Sequence, residues 1–479
     1  MPSHRRPRGG RPLRSRLPPE VRRVNTLLDR PAPAAAAAAA LTLRRGAARV
    51  LLDNWTGTST VPSRTLYPHQ WSWDSAFIAI GLRHLSARRA QQELESLLAA
   101  QWADGRVPHI VFNDAVPADA YFPSPDFWRS SRSGATAGAP ANRETSGIVQ
   151  PPVHALAAWL VHSADPAESR RRGFLSRVHP RLVGWHDYLL TRRDLGGDGL
   201  VSVVHPWEPG MDNSPTWDRA LARVEPTPPD TFRRADLDHG QPADRPTDLD
   251  YGRYVRLATD YRDAGYDDRA AEHRFAVEDP AFNALLVVSE LALAEIAREL
   301  GLPGEPHRER ADRLTRHLVD TLWNAGAGIF RVRDLGDRSL VDERSITGLV
   351  PLIIPGLPPE IVRRLSRALH GPHFTSPATR LVPSYDLTGH AFAPHRYWRG
   401  PAWFNTAWLI ERGLRTHGLH GDAARLRQGF LADAGRTGFA EYLDPLSGEA
   451  RGARHFSWTA ALTLDLLCAD DADPKEPRP

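Results

Sequence analysis

The stretch QWSWDSAFIAIGL, Gln70–Leu82, runs an aromatic and acidic cluster directly into an apolar segment of helical character. The same juxtaposition recurs downstream. YWRGPAW (397–403) leads into FNTAWLIERGL (404–414), and EYLDP (441–445) leads through HFSW (455–458) into TAALTLDLL (459–467). Each cluster therefore sits where a helix begins. If alternate helices form an inner ring, these pre-helical loops gather at one mouth, with the positive ends of the helix dipoles turned toward it. The economical reading is a toroid of helix pairs, an all-α fold with a funnel at one end.

The rest of the chain fits that frame. Helical periodicity is expected over 34–52, 75–85, 86–102, 153–164, 181–193, 281–300, 306–323, 359–370, 403–416, 422–434 and 457–468. Ser86 stands where an N-cap belongs, and Gly301 and Gly371 where helices stop. Strand alternation is confined to LVSVV (200–204) and IFRVRD (329–334). Residues 104–147, which include the small-residue insertion SSRSGATAGAP (130–140), read as irregular and mobile, and 218–250 as patternless. The domain reading is a disordered basic tail over 1–33, one catalytic domain over 34–470 and a frayed tail over 471–479.

Composition narrows the function. The net charge is +4, but residues 1–30 alone carry nine Arg, Glu20 and Asp29, or +7, leaving −3 for the remainder. The basic character belongs to the tail, so nucleic-acid binding by the body is not implied. Cys468 is the one cysteine, which excludes an intramolecular disulfide and fits a reducing cytoplasm. The Ala-rich run near 34–42 is too short and too weakly apolar to span a membrane. No His/Cys spacing suits a metal, and DLGGDGL (194–200) reads as a Gly-rich turn rather than a cation loop. No cofactor is expected.

The chemistry concentrates in four loops. HPWEPGMDNSP, His205–Pro215, is too rich in Pro and Gly for a helix interior or a central strand. It sets Trp207 beside Glu208 and Asp212. Indole faces stack on sugar rings, and paired carboxylates supply the acid and base of glycosidic cleavage. Asp212 is the candidate acid. Trp207, Met211 and the neighbouring Glu208 are the groups expected to raise its pKa, and an Asx-turn is the alternative reading. YPHQWSWD supplies Tyr67, Trp71, Trp73 and Asp74, where Asp74 either accepts sugar hydroxyls or caps the next helix. YWRGPAW supplies Tyr397, Trp398 and Trp403. In EYLDPLSGEARGARHFSW, Glu441 is the candidate base, with Asp444 and Glu449 within reach but closer to the turn.

Taken together, VPSRTLYPHQWSWDSAFIAIGL, HPWEPGMDNSPTWD, YWRGPAWFN and FAEYLDPLSGE…HFSWTAAL resemble glycoside hydrolase family 63 over about residues 40–468. Within that family the likeness is to mannosylglycerate and glucosylglycerate hydrolases, and more distantly to trehalases. The resemblance implies an (α/α)6 barrel and inversion at an α-linked sugar. It places the general acid on Asp212 and the general base on Glu441, with carboxyl groups about 6.5–9.5 Å apart to admit water. It carries the sugar subsite to Tyr67, Trp71, Trp73, Asp74, Gln150, Trp207, Gly210, Trp398 and Trp403. It sets the glycerate carboxylate against Arg245, flanked by Tyr121 and Tyr397. The 130–140 insertion departs from the family pattern and is expected near the leaving-group pocket.

The expected protein is a cytoplasmic inverting α-glycosidase acting on a small carbohydrate, without a nucleic-acid or membrane partner and with room for a homo-oligomer. An α-glucosidase or trehalase acting on a short oligosaccharide is the nearest rival. A sugar epimerase would need histidines such as His69, His205 or His455 in the funnel. A binding protein without catalysis would turn Asp212 or Glu441 away from the pocket.

Overall fold

A computed structural model describes residues 33–238 and 241–468. The readings of residues 1–32 and 471–479 as tails lie outside the described residues, and Pro33 already belongs to the first helix. The long helices are α1 (Pro33–Asp53), α2 (Ser72–Leu82), α3 (Ala87–Leu98), α4 (His154–Ala164), α5 (Phe174–Arg192) and α6 (Asp248–Asp263). They continue with α7 (Pro280–Glu299), α8 (Glu305–Leu322), α9 (Pro359–Leu369), α10 (Phe404–Thr416), α11 (His420–Thr437) and α12 (Ser457–Cys468).

Packing between elements closes a ring. α12 packs on α2, α2 on α4, α4 on α7, α7 on the 3-10 turn Val350–Ile353, that turn on α10, and α10 on α12. These six elements form the inner wall. α1, α3, α5, α8 and α11 pack outside them. The architecture is an (α/α)6 barrel, as the loop-before-helix pattern implies.

The sequence explains which helices lie inside. Every residue of α2 is buried, as are the first ten of α12 and the first eleven of α10. A helix apolar on all sides has no solvent face and must be enclosed. α9, by contrast, buries only Ile361, Val362, Leu365 and Leu369, an amphipathic stripe suited to an outer position. The fifth inner position is short because Pro351 and Pro355 bracket the buried run Leu352–Ile354 and deny it helical hydrogen bonds. α7 is long and apolar enough to cross a bilayer, yet nearly all of it is buried inside the ring.

Several expectations are revised. Helix α2 begins at Ser72, three residues before the expected Ser75, so Asp74 lies in its first turn and the cap position falls on Trp71. α5 begins at Phe174, seven residues before the expected 181, and runs through Pro180. Residues 218–250 hold short helical turns, and α6 starts within them at Asp248, with a Thr247–Asp250 capping box. The 130–140 insertion is not a free loop. Ser130–Ser133 form a helical turn whose Ser130 is buried, and Gly138 packs on Ala103. Thr136–Gly138 line a surface cavity together with Ala103–Arg106 neighbours and Ala264–Asp268, away from the pocket described below.

Strands are two residues long and brace the loops. Gln70–Trp71 pairs antiparallel with Ile110–Val111, Trp71 opposite Ile110. Ala402–Trp403 pairs with Tyr442–Leu443, Trp403 opposite Tyr442. LVSVV and IFRVRD each contribute to an antiparallel pairing, through Ser202–Val203, Ile329–Phe330 and Arg333–Asp334.

Candidate active site

The loops that precede the inner helices converge on a concave pocket lined by aromatic and carboxyl side chains, the character of a small-ligand site. Tyr67, Trp71, Trp73 and Asp74 enter from the approach to α2, and Gln150 from the approach to α4. Trp207, Gly210 and Asp212 come from the Pro-rich loop, Tyr121 and Arg245 from irregular segments, and Tyr397, Trp398 and Glu441 from the approaches to α10 and α12. Of the residues singled out from sequence, Trp403 stands apart. It is fully buried one layer back, with Trp398 stacked on it at 3.9 Å and an interplanar angle of 3°. Its indole N–H donates to the Tyr397 carbonyl at 3.1 Å, so it holds the Tyr397–Trp398 corner from behind.

Glu441 is 1% exposed. The hydroxyls of Tyr67 and Tyr397 donate to its Oε1 at 3.1 and 3.0 Å, and the Ala453 amide donates to Oε2 at 2.8 Å. Gly452 brings that amide in. Its φ is +68°, and a Cβ there would lie 2.3 Å from Oε2. Burial pushes the Glu441 carboxyl up, while Arg245 and these donors oppose it.

Asp212 is pushed up to about 7, first by burial, with Glu441 and Asp236 adding like-charge repulsion and Arg245 opposing. The expected help from Glu208 does not materialise. That side chain is fully buried on the far side of the loop, in a bidentate pair with Arg193 at 2.9 Å. Helix α6, which the sequence pattern did not reveal, supports the Asp212 loop, with Tyr254 donating to the Asp212 carbonyl at 3.0 Å. Asp74 is 3% exposed and raised well above its usual range, by burial and then by Glu441. The three carboxyls thus share one small cavity.

Arg245 is the counter-charge. Its guanidinium lies 4.3 Å over the Tyr397 ring, donates to the Tyr67 hydroxyl at 3.2 Å and pairs with Asp236 at 3.4 Å. Gln150 accepts from the Trp73 amide at 3.1 Å and fixes that corner of the wall.

The structure adds His109, Phe456, Trp458 and Pro62 to the lining. His109 sits in VPHIVF, an apolar run with no polar partner nearby in sequence, and burial holds it down at about 3. Trp458 already belongs to an apolar helix pattern, which hides it as a wall residue. The three histidines singled out for an epimerase lie elsewhere, and among the described residues the histidine in the lining is His109. Burial lowers His69 to about 4 and His205 to about 3, neither lines the cavity, and His455 is exposed. Asp212 and Glu441 both face the cavity.

Comparison with known proteins accords with this geometry. Residues 67–459 match the family described as the mannosylglycerate hydrolase MGH1-like glycoside hydrolase domain. The chain belongs to this family. It is a glycoside hydrolase of family 63 kinship. It is 40% identical to a mannosylglycerate hydrolase from Rubrobacter radiotolerans over 88% of this chain and 96% of that one. A glucosylglycerate hydrolase from Mycolicibacterium hassiacum is also 40% identical, again over 88% of this chain and 96% of its own length. Among solved structures, the GH63 mannosylglycerate hydrolase from Thermus thermophilus in complex with Tris and D-glycerate superposes with a TM-score of 0.81 at 38% identity, covering 88% of this chain and 99% of that one. The neutral trehalase Nth1 from Saccharomyces cerevisiae shares the fold, with a TM-score of 0.55 at 15% identity over 85% of this chain and 73% of that one.

Proposed function

We propose that this glycoside hydrolase cleaves a small α-glycoside of glycerate, glucosylglycerate or mannosylglycerate, with inversion of configuration. The observation that carries the reading is the unlike setting of two carboxyls in one aromatic pocket. Asp212, at about 7, keeps a proton near neutrality and donates it to the leaving oxygen. Glu441, gripped by two hydroxyls, an amide and the field of Arg245, serves as the carboxylate that takes a proton from the attacking water. The Trp71, Trp73, Trp207 and Trp398 indoles offer faces to the sugar, and Asp74 accepts from its hydroxyls.

The glycerate follows from charge. Three carboxyls surround the cavity, so an anionic aglycone needs a cation, and among the described residues Arg245 is the one guanidinium in the lining. Such a group presents a fork suited to a carboxylate. The names of the relatives and the D-glycerate in the Thermus structure point the same way.

The test is anomeric proton NMR of the enzyme mixed in turn with glucosylglycerate, mannosylglycerate and trehalose. Initial release of the β-anomer from a glycerate glycoside is expected. Initial release of the α-anomer would overturn inversion. Turnover of trehalose alone would overturn the glycerate assignment.

A further inference from the structure

Glu208 sits four residues before Asp212 in the signature loop, and the mechanism above does not use it. It is fully buried, yet it has donors on all sides. Arg193, at the C-terminal end of α5, sends Nη1 and Nη2 to its two oxygens at 2.9 Å each. The Val204 amide donates to Oε2 at 2.7 Å and the Val149 amide to Oε1 at 3.3 Å. Behind it, Arg193 Nε donates to Asp268 at 2.7 Å, and Tyr188 donates to the other Asp268 oxygen at 2.8 Å.

The two amides matter for where they lie. Val149 immediately precedes Gln150, which forms one wall of the pocket, and Val204 opens the segment that carries Trp207, Gly210 and Asp212. One carboxylate therefore ties two pocket-forming stretches of chain to a fixed cation. The turn it anchors is tight. The Glu208 amide donates to the His205 carbonyl at 3.0 Å, and Gly210 adopts φ +70° where a Cβ would strike the Trp73 ring. A buried ion pair is a weak source of stability, because desolvation offsets most of the attraction. Its geometric specificity is the stronger asset, since a bidentate fork fixes orientation as well as distance.

We propose that Glu208, held by Arg193, is a positioning residue for the proton-donating carboxyl, setting the register of the loop that aims Asp212 at the leaving oxygen. The inference rests on the reading of Asp212 as the general acid. The effect runs through the backbone, so it falls on protonation of the leaving group rather than on water activation by Glu441 across the pocket.

That division supplies the test. A glycerate leaving group needs protonation as the bond breaks, whereas fluoride in the α-glycosyl fluoride of the same sugar departs with little acid assistance. Glu208→Gln keeps the size, removes the charge and turns an amide N–H2 toward donors. The variant is expected to lose about 100-fold in kcat on the glycerate glycoside, the scale of a small misplacement of a catalytic group. KM should stay nearly unchanged, and the fluoride should lose less than about 5-fold, the acid step being the part that misplacement weakens. Arg193→Lys, which retains charge but not the fork, is expected to show the same split to a smaller degree. Asp212→Asn is run alongside. If Asp212→Asn loses both substrates equally, the acid assignment itself fails. If Asp212→Asn shows the split and Glu208→Gln and Arg193→Lys lose both substrates equally, or retain both, the positioning role is overturned. A Glu208→Gln protein that does not fold, beside an Arg193→Lys protein with wild-type rates on both substrates, overturns it as well.

Discussion

Glu441 is buried and Asp212 half-buried, and what further distinguishes the two acids is the company each keeps. On the proposed mechanism the productive enzyme has Asp212 protonated and Glu441 ionised, so activity is expected to fall on the alkaline side as Asp212 loses its proton, near pH 7. Arg245 lowers both carboxyls. Arg245→Met is therefore expected to move both limbs of the kcat/KM profile to higher pH and to raise KM for a glycerate glycoside about 10–100-fold, the range for losing hydrogen bonds to a charged group. A profile that stays in place would separate Arg245 from the two acids. Stability carries the same signature with a worked sign. The folded-state pKa of Asp212 lies above its unfolded value, so the native state holds the proton more tightly and loses stability as pH rises from about 4 to about 7. Asp212→Asn removes that penalty. Its melting temperature should exceed that of the wild type by at least ~2 °C at pH 8 and converge with it near pH 4, while turnover on the glycerate glycoside drops by about 100-fold or more. Sequence was informative here wherever Trp and carboxylates lie beside Pro and Gly, because such segments cannot be regular structure. It could not supply depth. Trp398 and Trp403 look alike in YWRGPAW, yet one lines the cavity and the other lies beneath it. Glu208 and Asp212 share one loop, yet they face opposite sides.

At the level of elements, the inner helices approach so closely that glycine is required between them. A Cβ on Gly81 of α2 would lie 2.3 Å from the backbone of Ala461 in α12, and neither backbone can yield without opening the ring. Gly81→Ala is expected to cost about 1–3 kcal/mol, the range for overpacking a core, read as a shift in the urea midpoint. A neutral result would mean that the α2–α12 contact is looser than the structure shows. Inner helices α2, α7 and α12 were legible because they are apolar round most of their surface, and the outer ones because of their stripes. α6 escaped because its buried face mixes Tyr251, Tyr254 and Tyr261 with Val255, Leu257 and Ala258, and it follows directly on a stretch whose Asp and Pro content resembles loop. That omission bears on the site, since α6 supports the Asp212 loop. The fifth inner position escaped for the opposite reason, because Pro351 and Pro355 suppress the helical period although the run is buried.

For the whole molecule, the barrel makes a site from loops that are distant in sequence. Tyr67, Asp212, Arg245, Tyr397 and Glu441 are spread over most of the chain, yet their side chains form one hydrogen-bonded and electrostatic unit. A ligand that bridges these loops binds only the closed ring, and so it stabilises the entire fold by mass action. At a concentration about 100 times its Kd, D-glycerate should contribute about 2.7 kcal/mol, which for a chain of this size corresponds to a rise of roughly 2–3 °C in melting temperature. The free sugar that the enzyme releases should act independently, through the indoles and Asp74. The discriminating measurement is differential scanning calorimetry of wild type and Arg245→Met with each ligand alone. The variant should lose the shift caused by D-glycerate and keep the shift caused by the sugar, because the proposed function seats the aglycone against the guanidinium and the sugar ring against the indoles. Loss of both shifts would show that Arg245 instead holds the whole pocket together through Tyr67 and Tyr397. Retention of both would move the carboxylate site away from Arg245.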